Sequence, residues 1–399
     1  MASTAQELIS HPHMQQRRIQ IGESSFPYLF GSDCLEAIAE TLHTLDADRF
    51  VVVTDDRVFD LHGQALIRAL GTGTPVTILR HEPGEAMKTL PCLAEHIEHA
   101  LGDGATRRSV VVSFGGGVPG NLAGLMASLL FRGVRLVHIP TTTVSAMDSV
   151  LSLKQAINSR VGKNHVGSYY TPIAVLTDVE LFGTLSPREL RSGLCEMAKN
   201  CLAIRPEIIS ELREILTTGN LAAPESLLWL LDASISAKGQ VTKNDTYERK
   251  EGLVLEYGHT VGHAIELLDH RQRDSNGLSH GESIALGMLV AARISCARGW
   301  LTEADVRIHD ELVASLGVTT SIPAGVTADR IIDTIRDDNK RGYLPLPDDA
   351  AAFVLLEQLG VPARSGELPL VSVGFQEVQD ALDAAGRDIL PFAAADSVR

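Results

Sequence analysis

The sequence predicts an α/β protein, a parallel-sheet domain followed by an all-α domain, on three observations. Short β-branched runs alternate with helical periodicity through the first half of the chain. A run of three glycines, Gly115 to Gly117, closes one β-branched run and precedes an apolar helical stretch. Beyond Ser186 the β-branched runs largely vanish, and helical periodicity continues to Leu316. The 399 residues suffice for two domains with separate cores. The expected division is an unstructured extension over 1–16, an α/β domain over 17–183 and a helical domain over 184–399.

Taken in order, strands are expected at 49–54, 75–79, 109–114, 135–139 and 174–176, each a short run rich in Val, Ile or Leu. Separation by helical segments implies a parallel sheet with covered faces. Ser186-Pro187 reads as the start of the helical half, because proline is tolerated in a first helical turn. Residues 1–16 and 393–399 carry the weakest structural signals. A formal charge of -15 offers nucleic acid or an anionic membrane no basic face, so neither is expected as a partner. Five scattered cysteines without CxxC spacing read as reduced thiols. The first twenty residues lack the apolar core of a signal peptide, and the apolar run 122–131 is too short to span a bilayer. A soluble cytoplasmic protein is expected.

Gly115-Gly116-Gly117-Val118-Pro119-Gly120-Asn121 joins a strand to a helix, an arrangement that lets backbone approach a pyrophosphate at a helix N-terminus. It departs from GxGxxG spacing, and a tight turn would use the same residues. Asp55 and Thr141 to Thr143 follow neighbouring strand candidates, so the three loops would converge on one sheet edge. A Rossmann-like nucleotide-binding domain follows from this. Residues 154–164 alternate polar and apolar positions like a hairpin, carrying Lys154, Asn158, Lys163 and Asn164. With Arg132, Lys199, Lys238, Lys340 and Arg341, these groups suggest an anion site, most naturally for phosphate; each taken alone reads as a solvated surface charge.

His259 and His263 stand four apart on one helical face, with His280 from a later segment and Glu196 from an earlier one. Three ligands of this kind leave open positions on a divalent cation, the mark of a catalytic site. A lone histidine among them would read equally well as a satisfied core residue.

The glycine loop, Pro140-Thr141-Thr142, Asp148-Ser149, Lys154, Gly162-Lys163-Asn164, Glu196 to Asn200, Gly258 to Glu266 and His280-Gly281-Glu282, in this order, resemble the sugar phosphate cyclases of the 3-dehydroquinate synthase type. The resemblance spans about residues 19 to 375. It implies a nicotinamide-binding domain, a helical metal-binding domain, a homodimer and an active site in the cleft between the domains. By position it implies that Glu196, His259 and His280 bind zinc or cobalt. Asp55, Glu85, Lys88, Gly116, Gly117, Thr141, Thr142, Asp148 and Lys163 fall where the family binds NAD. Lys154, Asn164, Lys199, Lys238, His263 and Lys340 fall where it contacts substrate or moves protons, and Arg132 matches an arginine offered to a partner's phosphate.

The departures from the dehydroquinate synthase pattern bear on the substrate. Where that enzyme holds a carboxylate with an arginine and an asparagine, this chain has Gly252 and Glu256. A glutamate repels a carboxylate but accepts a hydrogen bond from a sugar hydroxyl. Leu151-Ser152, Asn121, residues 154–158 and residues 338–343 also differ, in a way that resembles the branch acting on glucose 6-phosphate in 2-deoxystreptamine aminoglycoside biosynthesis. Pro119 is a further departure. The valiolone-forming branch, acting on sedoheptulose 7-phosphate, and dehydroquinate synthase itself are the alternatives within the family. A metal-dependent dehydrogenase of related fold would lack the GKN segment, and a non-catalytic nucleotide binder would be expected to have lost a metal ligand.

Overall fold

Consecutive β-branched residues such as Val51 to Val53 and Val110 to Val112 are buried on both sides, as a parallel sheet between helical layers requires. The computed structural model describes residues 14–160, 162–218, 221–273, 277–338 and 340–385. It divides into two compact units, one of residues 1–186 with 227–235 and one of residues 187–226 with 236–399.

The first unit holds β1 (Met14–Ile21), β2 (Ser24–Gly31), α1 (Leu35–His43), β3 (Phe50–Asp55), α2 (Asp56–Val58), α3 (Gln64–Leu70), β4 (Val76–His81), α4 (Leu90–Gly102), β5 (Val110–Gly115), α5 (Gly117–Leu129), β6 (Arg135–Pro140), α6 (Thr143–Met147), β7 (Lys154–Ser159), β8 (Gly162–Tyr169) and β9 (Ala174–Asp178). Seven strands form a sheet in the order β1-β2-β9-β6-β5-β3-β4, parallel except for the β1–β2 pair. On one face Val52, Val112, Val137 and Leu176 pack with Ile38, Leu42 and Leu66 of α1 and α3. On the other, Val51, Val111 and Leu136 pack with Leu93 of α4, Leu122 and Met126 of α5, and Ile157 of β7. The five expected strands are all present, as β3, β4, β5, β6 and β9.

Two expectations need correction. Met14 to Gln16, assigned to an unstructured extension, lie in β1, paired with Gly31, Phe30 and Leu29. Main-chain pairing alone places these polar residues, and their side chains carry no signal of it. The rest of that extension, residues 1–13, and the carboxyl end 386–399 lie outside the described residues.

The second unit is built on α7 (Pro187–Ala203), α8 (Ile209–Thr218), much of α9 (Pro224–Thr242), α10 (His259–Arg273), α11 (His280–Ala297), α12 (Glu303–Ser315), α13 (Ala328–Ile335) and α14 (Phe375–Ala385). It is helical but not all-α. Two antiparallel pairs, β10 (Ala350–Phe353) with β13 (Val371–Gly374) and β11 (Leu356–Gln358) with β12 (Val361–Pro362), lie near its end. Strands of two to four residues are too short to leave a period-2 pattern. Among the described residues no helix is long and apolar enough to cross a membrane, and all five cysteines are free.

Candidate functional site

The site residues form two sets, one in each unit. In the first, β3, β5 and β6 are neighbours and parallel, so their carboxyl ends deliver Asp55, the glycine loop and Thr141 to one edge of the sheet. Thr141 N–H donates to the Gly115 carbonyl at 3.0 Å, while the buried Thr141 hydroxyl has no partner among the described residues. Gly116 caps α5 without a side-chain hydrogen bond, leaving the first amides of the helix to a ligand, as an anion-binding terminus needs. Pro119 falls in the first turn of α5, where its missing N–H costs little. Asp55 caps α2 by accepting from Val58 N–H at 2.9 Å, and Thr142 caps α6 through Ser145 N–H at 3.2 Å. Asp148 ends α6. An orphaned hydroxyl and an uncapped glycine-rich helix start fit a dinucleotide phosphate.

In the hairpin β7–β8 the first strand alternates as expected, with Gln155 and Ile157 buried and Lys154 exposed, whereas β8 is exposed along most of its length, Lys163 and Asn164 included. Its turn is clasped to the segment after β4. Asn158 Nδ2 donates to Glu85 Oε1 at 2.7 Å, Asn158 Oδ1 accepts from Asn164 N–H at 2.9 Å, and Lys88 Nζ donates to Asn164 Oδ1 at 2.5 Å. Burial, helped by Lys163, pulls the Lys88 pKa down, against the pull of Glu85. Asn121 links the glycine loop to the hairpin, donating to the Gly117 carbonyl and accepting from Ala156 N–H, both at 2.8 Å. A carboxylate in its place could not donate to that carbonyl. Arg132 is exposed at the end of α5, where Phe131 and Arg132 take φ of 51° and 68°. Two successive non-glycine residues in the left-handed region are strained by about 1 kcal/mol each or more.

In the second unit, α7, α10 and α11 meet at backbone contact. A side chain on Gly281 would overlap the Ser192 carbonyl of α7, and one on Gly287 would overlap the Gly258 carbonyl and stand 2.7 Å from Gly262 N at the start of α10. Ser279 and Glu282 form a capping box that fixes the start of α11, and Arg188 of α7 binds Glu282. Glu196, His259, His263 and His280 converge as a result. The three histidines offer nitrogens within 4.8 Å of one another. Glu196 Oε1 lies 3.6 Å from His280 Nε2 and 4.0 Å from His259 Nε2.

The donor set fits a divalent cation. Glu196 is 1 % exposed and its Oε1 has no hydrogen-bond partner among the described residues, while Lys199 binds Oε2. An unpartnered buried carboxylate oxygen is costly unless a cation meets it. Burial, with the Lys199 charge next, pushes the His259 pKa down to about 3 despite Glu256. His263 is lowered by burial and by His259. Neutral imidazoles have the lone pair that a metal takes. His259 Nδ1 donates to the Tyr257 carbonyl at 3.1 Å and His280 Nδ1 to Glu266 Oε2 at 3.1 Å, so each ring carries its lone pair on Nε2.

Beside this cluster, Lys340 is 1 % exposed with Nζ 3.3 Å from Glu256 Oε2 and 2.8 Å from Asp338 Oδ1. Burial lowers its pKa, but Glu256 and Asp338 outweigh that and the net shift is upward. Asn339 lies outside the described residues. Lys238 is buried on α9. Gly252 brings no charge; its N–H donates to Asp245 Oδ2 at 2.9 Å, as does that of Lys250 at 2.7 Å. Sequence reasoning missed Glu266 and Asp338 as site residues, and it read Asn158 as a polar group of an anion site rather than as the clasp to Glu85. Only Glu266 carried a spacing signal, three after His263 and seven after His259.

Residues 78–192 match the 3-dehydroquinate synthase N-terminal domain and residues 193–341 its C-terminal domain. The 2-deoxy-scyllo-inosose synthase of Streptoalloteichus tenebrarius is 47% identical over 358 residues, covering 90% of this chain and 92% of that protein. A crystal structure of 2-deoxy-scyllo-inosose synthase complexed with carbaglucose-6-phosphate, NAD+ and Co2+ superposes with a TM-score of 0.84 at 36% identity, over 92% of this chain and 99% of that one. A 2-epi-5-epi-valiolone synthase from Streptomyces hygroscopicus subsp. jinggangensis 5008, with NAD+ and Zn2+ bound, shares the fold with a TM-score of 0.79 at 24% identity, over 93% and 100% of the two chains. Matched in both its halves and nearly half identical to one relative over most of its length, the chain belongs to the 3-dehydroquinate synthase family.

Proposed function

We propose that this chain converts D-glucose 6-phosphate to 2-deoxy-scyllo-inosose and phosphate, as an NAD- and cation-dependent carbon–oxygen lyase of aminoglycoside biosynthesis. One observation carries the substrate choice: Glu256 presents a carboxylate beside Lys340, while Gly252 supplies no cation. That pair accepts a hydrogen bond from a neutral sugar and repels a substrate carboxylate. The relatives named for this reaction support the reading, as does a structural relative that binds carbaglucose-6-phosphate, NAD+ and Co2+.

Glu196, His259 and His280 would hold the cation, zinc or cobalt. Asp55, Glu85, Lys88, Gly116, Gly117, Thr141, Thr142, Asp148 and Lys163 would hold the dinucleotide. When bound, NAD takes a hydride from C4 and returns it within one turnover, while the cation supplies Lewis acidity at the C4 oxygen. This chain's residues do the rest. Lys154, Asn164 and His263 orient the departing phosphate and the proton lost from C5; Lys199, Lys238 and Lys340 offset the negative charge. Ring opening and an intramolecular aldol addition then close the carbocycle, with no net use of NAD. The enzyme is a homodimer in which exposed Arg132 serves the second copy's phosphate, and its free thiols favour the cytoplasm.

Phosphate release from glucose 6-phosphate, with trace NAD and zinc or cobalt, tests the proposal beside sedoheptulose 7-phosphate and the dehydroquinate synthase substrate. Multiple turnovers on glucose 6-phosphate alone, stopped by a chelator and without net NADH, are expected. Release only from a seven-carbon phosphate would overturn the reading of Glu256, and net NADH would indicate a dehydrogenase.

A further inference from the structure

The two histidines expected to hold the cation are anchored differently. His259 is largely buried, its side chain 10% exposed, and donates Nδ1–H to a neutral acceptor, the Tyr257 carbonyl. His280 is 35% exposed and occupies the first position of α11, where the positive end of the helix dipole opposes a cation. It has less packing to fix its ring and a less favourable field for a ligand.

Its ring stands between two carboxylates, Glu266 Oε2 at 3.1 Å from Nδ1 and Glu196 Oε1 at 3.6 Å from Nε2. Glu266 is itself buried, 9% exposed, on the face of α10 that also carries His259 and His263. We propose that Glu266 is a positioning residue for the cation. Its carboxylate holds His280 as the Nδ1–H tautomer, turns the Nε2 lone pair toward Glu196, and supplies negative charge that offsets the helix end. A carboxylate behind a ligating imidazole also makes that imidazole a stronger donor. Glu266 touches neither substrate nor cation; it acts through His280. This inference rests on the cation reading of the proposed function.

The test is Co2+ binding to the full chain, followed by the visible absorption of the bound ion, for the wild-type protein, E266L and E266Q. E266L removes the acceptor and should weaken Co2+ binding by about 10- to 100-fold, with a changed spectrum. E266Q keeps an oxygen acceptor without the charge and should recover part of that loss. Wild-type affinity and spectrum in a folded E266L would overturn the inference while leaving the proposed function intact. Should E266L not fold, E266Q decides, and unchanged Co2+ affinity there would equally overturn it. No Co2+ binding by the wild-type protein would overturn the cation reading and the inference together.

Discussion

The buried Lys340 Nζ lies 3.3 Å from Glu256 Oε2 and 2.8 Å from Asp338 Oδ1. Lys340 therefore stays charged despite its burial. Glu256→Gln removes a charge but little volume. Turnover of glucose 6-phosphate is expected to fall by about tenfold or more, in line with the weaker acceptor that remains. NAD affinity should be unchanged. Steady-state kinetics with a separate NAD titration check this, and unchanged kcat/KM would remove Glu256 from the specificity account.

Gly287→Ala forces a methyl into the Gly258 carbonyl, a backbone atom that cannot swing aside. The expected destabilisation is about 3 kcal/mol or more, as for severe overpacking, with a loss of Co2+ affinity because α10 and α11 separate. Thermal unfolding and Co2+ titration read the two effects. A protein of wild-type Tm would show that the helices can slide apart without cost.

His138 sits in β6, 2% exposed, with neither ring nitrogen hydrogen-bonded among the described residues. Burial pushes its pKa down to about 4, from 6.5 in an unfolded chain. Between those values the unfolded state binds the extra proton, so stability rises with pH and is lost as pH falls from 6.5 through 4. The contribution at stake is about 3 kcal/mol. His138→Leu should leave stability at pH 7.5 equal or higher and flatten its decline toward pH 4.5. Denaturant unfolding at several pH values measures this slope; an unchanged slope would mean that other buried groups, His309 among them, carry the acid sensitivity.

Asn158→Ala cuts the hairpin turn from Glu85 and from the Asn164 amide. Each lost hydrogen bond corresponds to about 0.5–1.5 kcal/mol, so the loss of two should weaken NAD binding by roughly 5-fold or more. Trypsin should also cut sooner after exposed Arg160. Cofactor titration and timed proteolysis test the two parts separately.

Much of the fold was legible because buried parallel strands need unbroken apolar runs, and Val110 to Val112 or Val51 to Val53 can hardly be anything else. β1 was not, since its Met14 to Gln16 end is held by pairing with β2 and its side chains are largely exposed. The residues proposed to hold the cation showed through the four-residue spacing of His259 and His263 on one helix, with Glu196 and His280 supplied from other segments. Glu266 stayed hidden because its meaning depends on where α11 brings His280, a tertiary fact absent from either segment alone. Asn158 reads as one polar group of an anion site, and its hold on Glu85 shows only once the turn folds back.

The contact of Gly287 with the start of α10 separates two properties that could have been entangled. The residues proposed to hold the cation are set by helices touching at their backbones, whereas Gly252 and Glu256 ride on a short turn held by the Asp245 carboxylate. Under the proposed function, substrate preference can therefore be altered at Gly252 and Glu256 without touching the backbone contacts that bring α10 and α11 together.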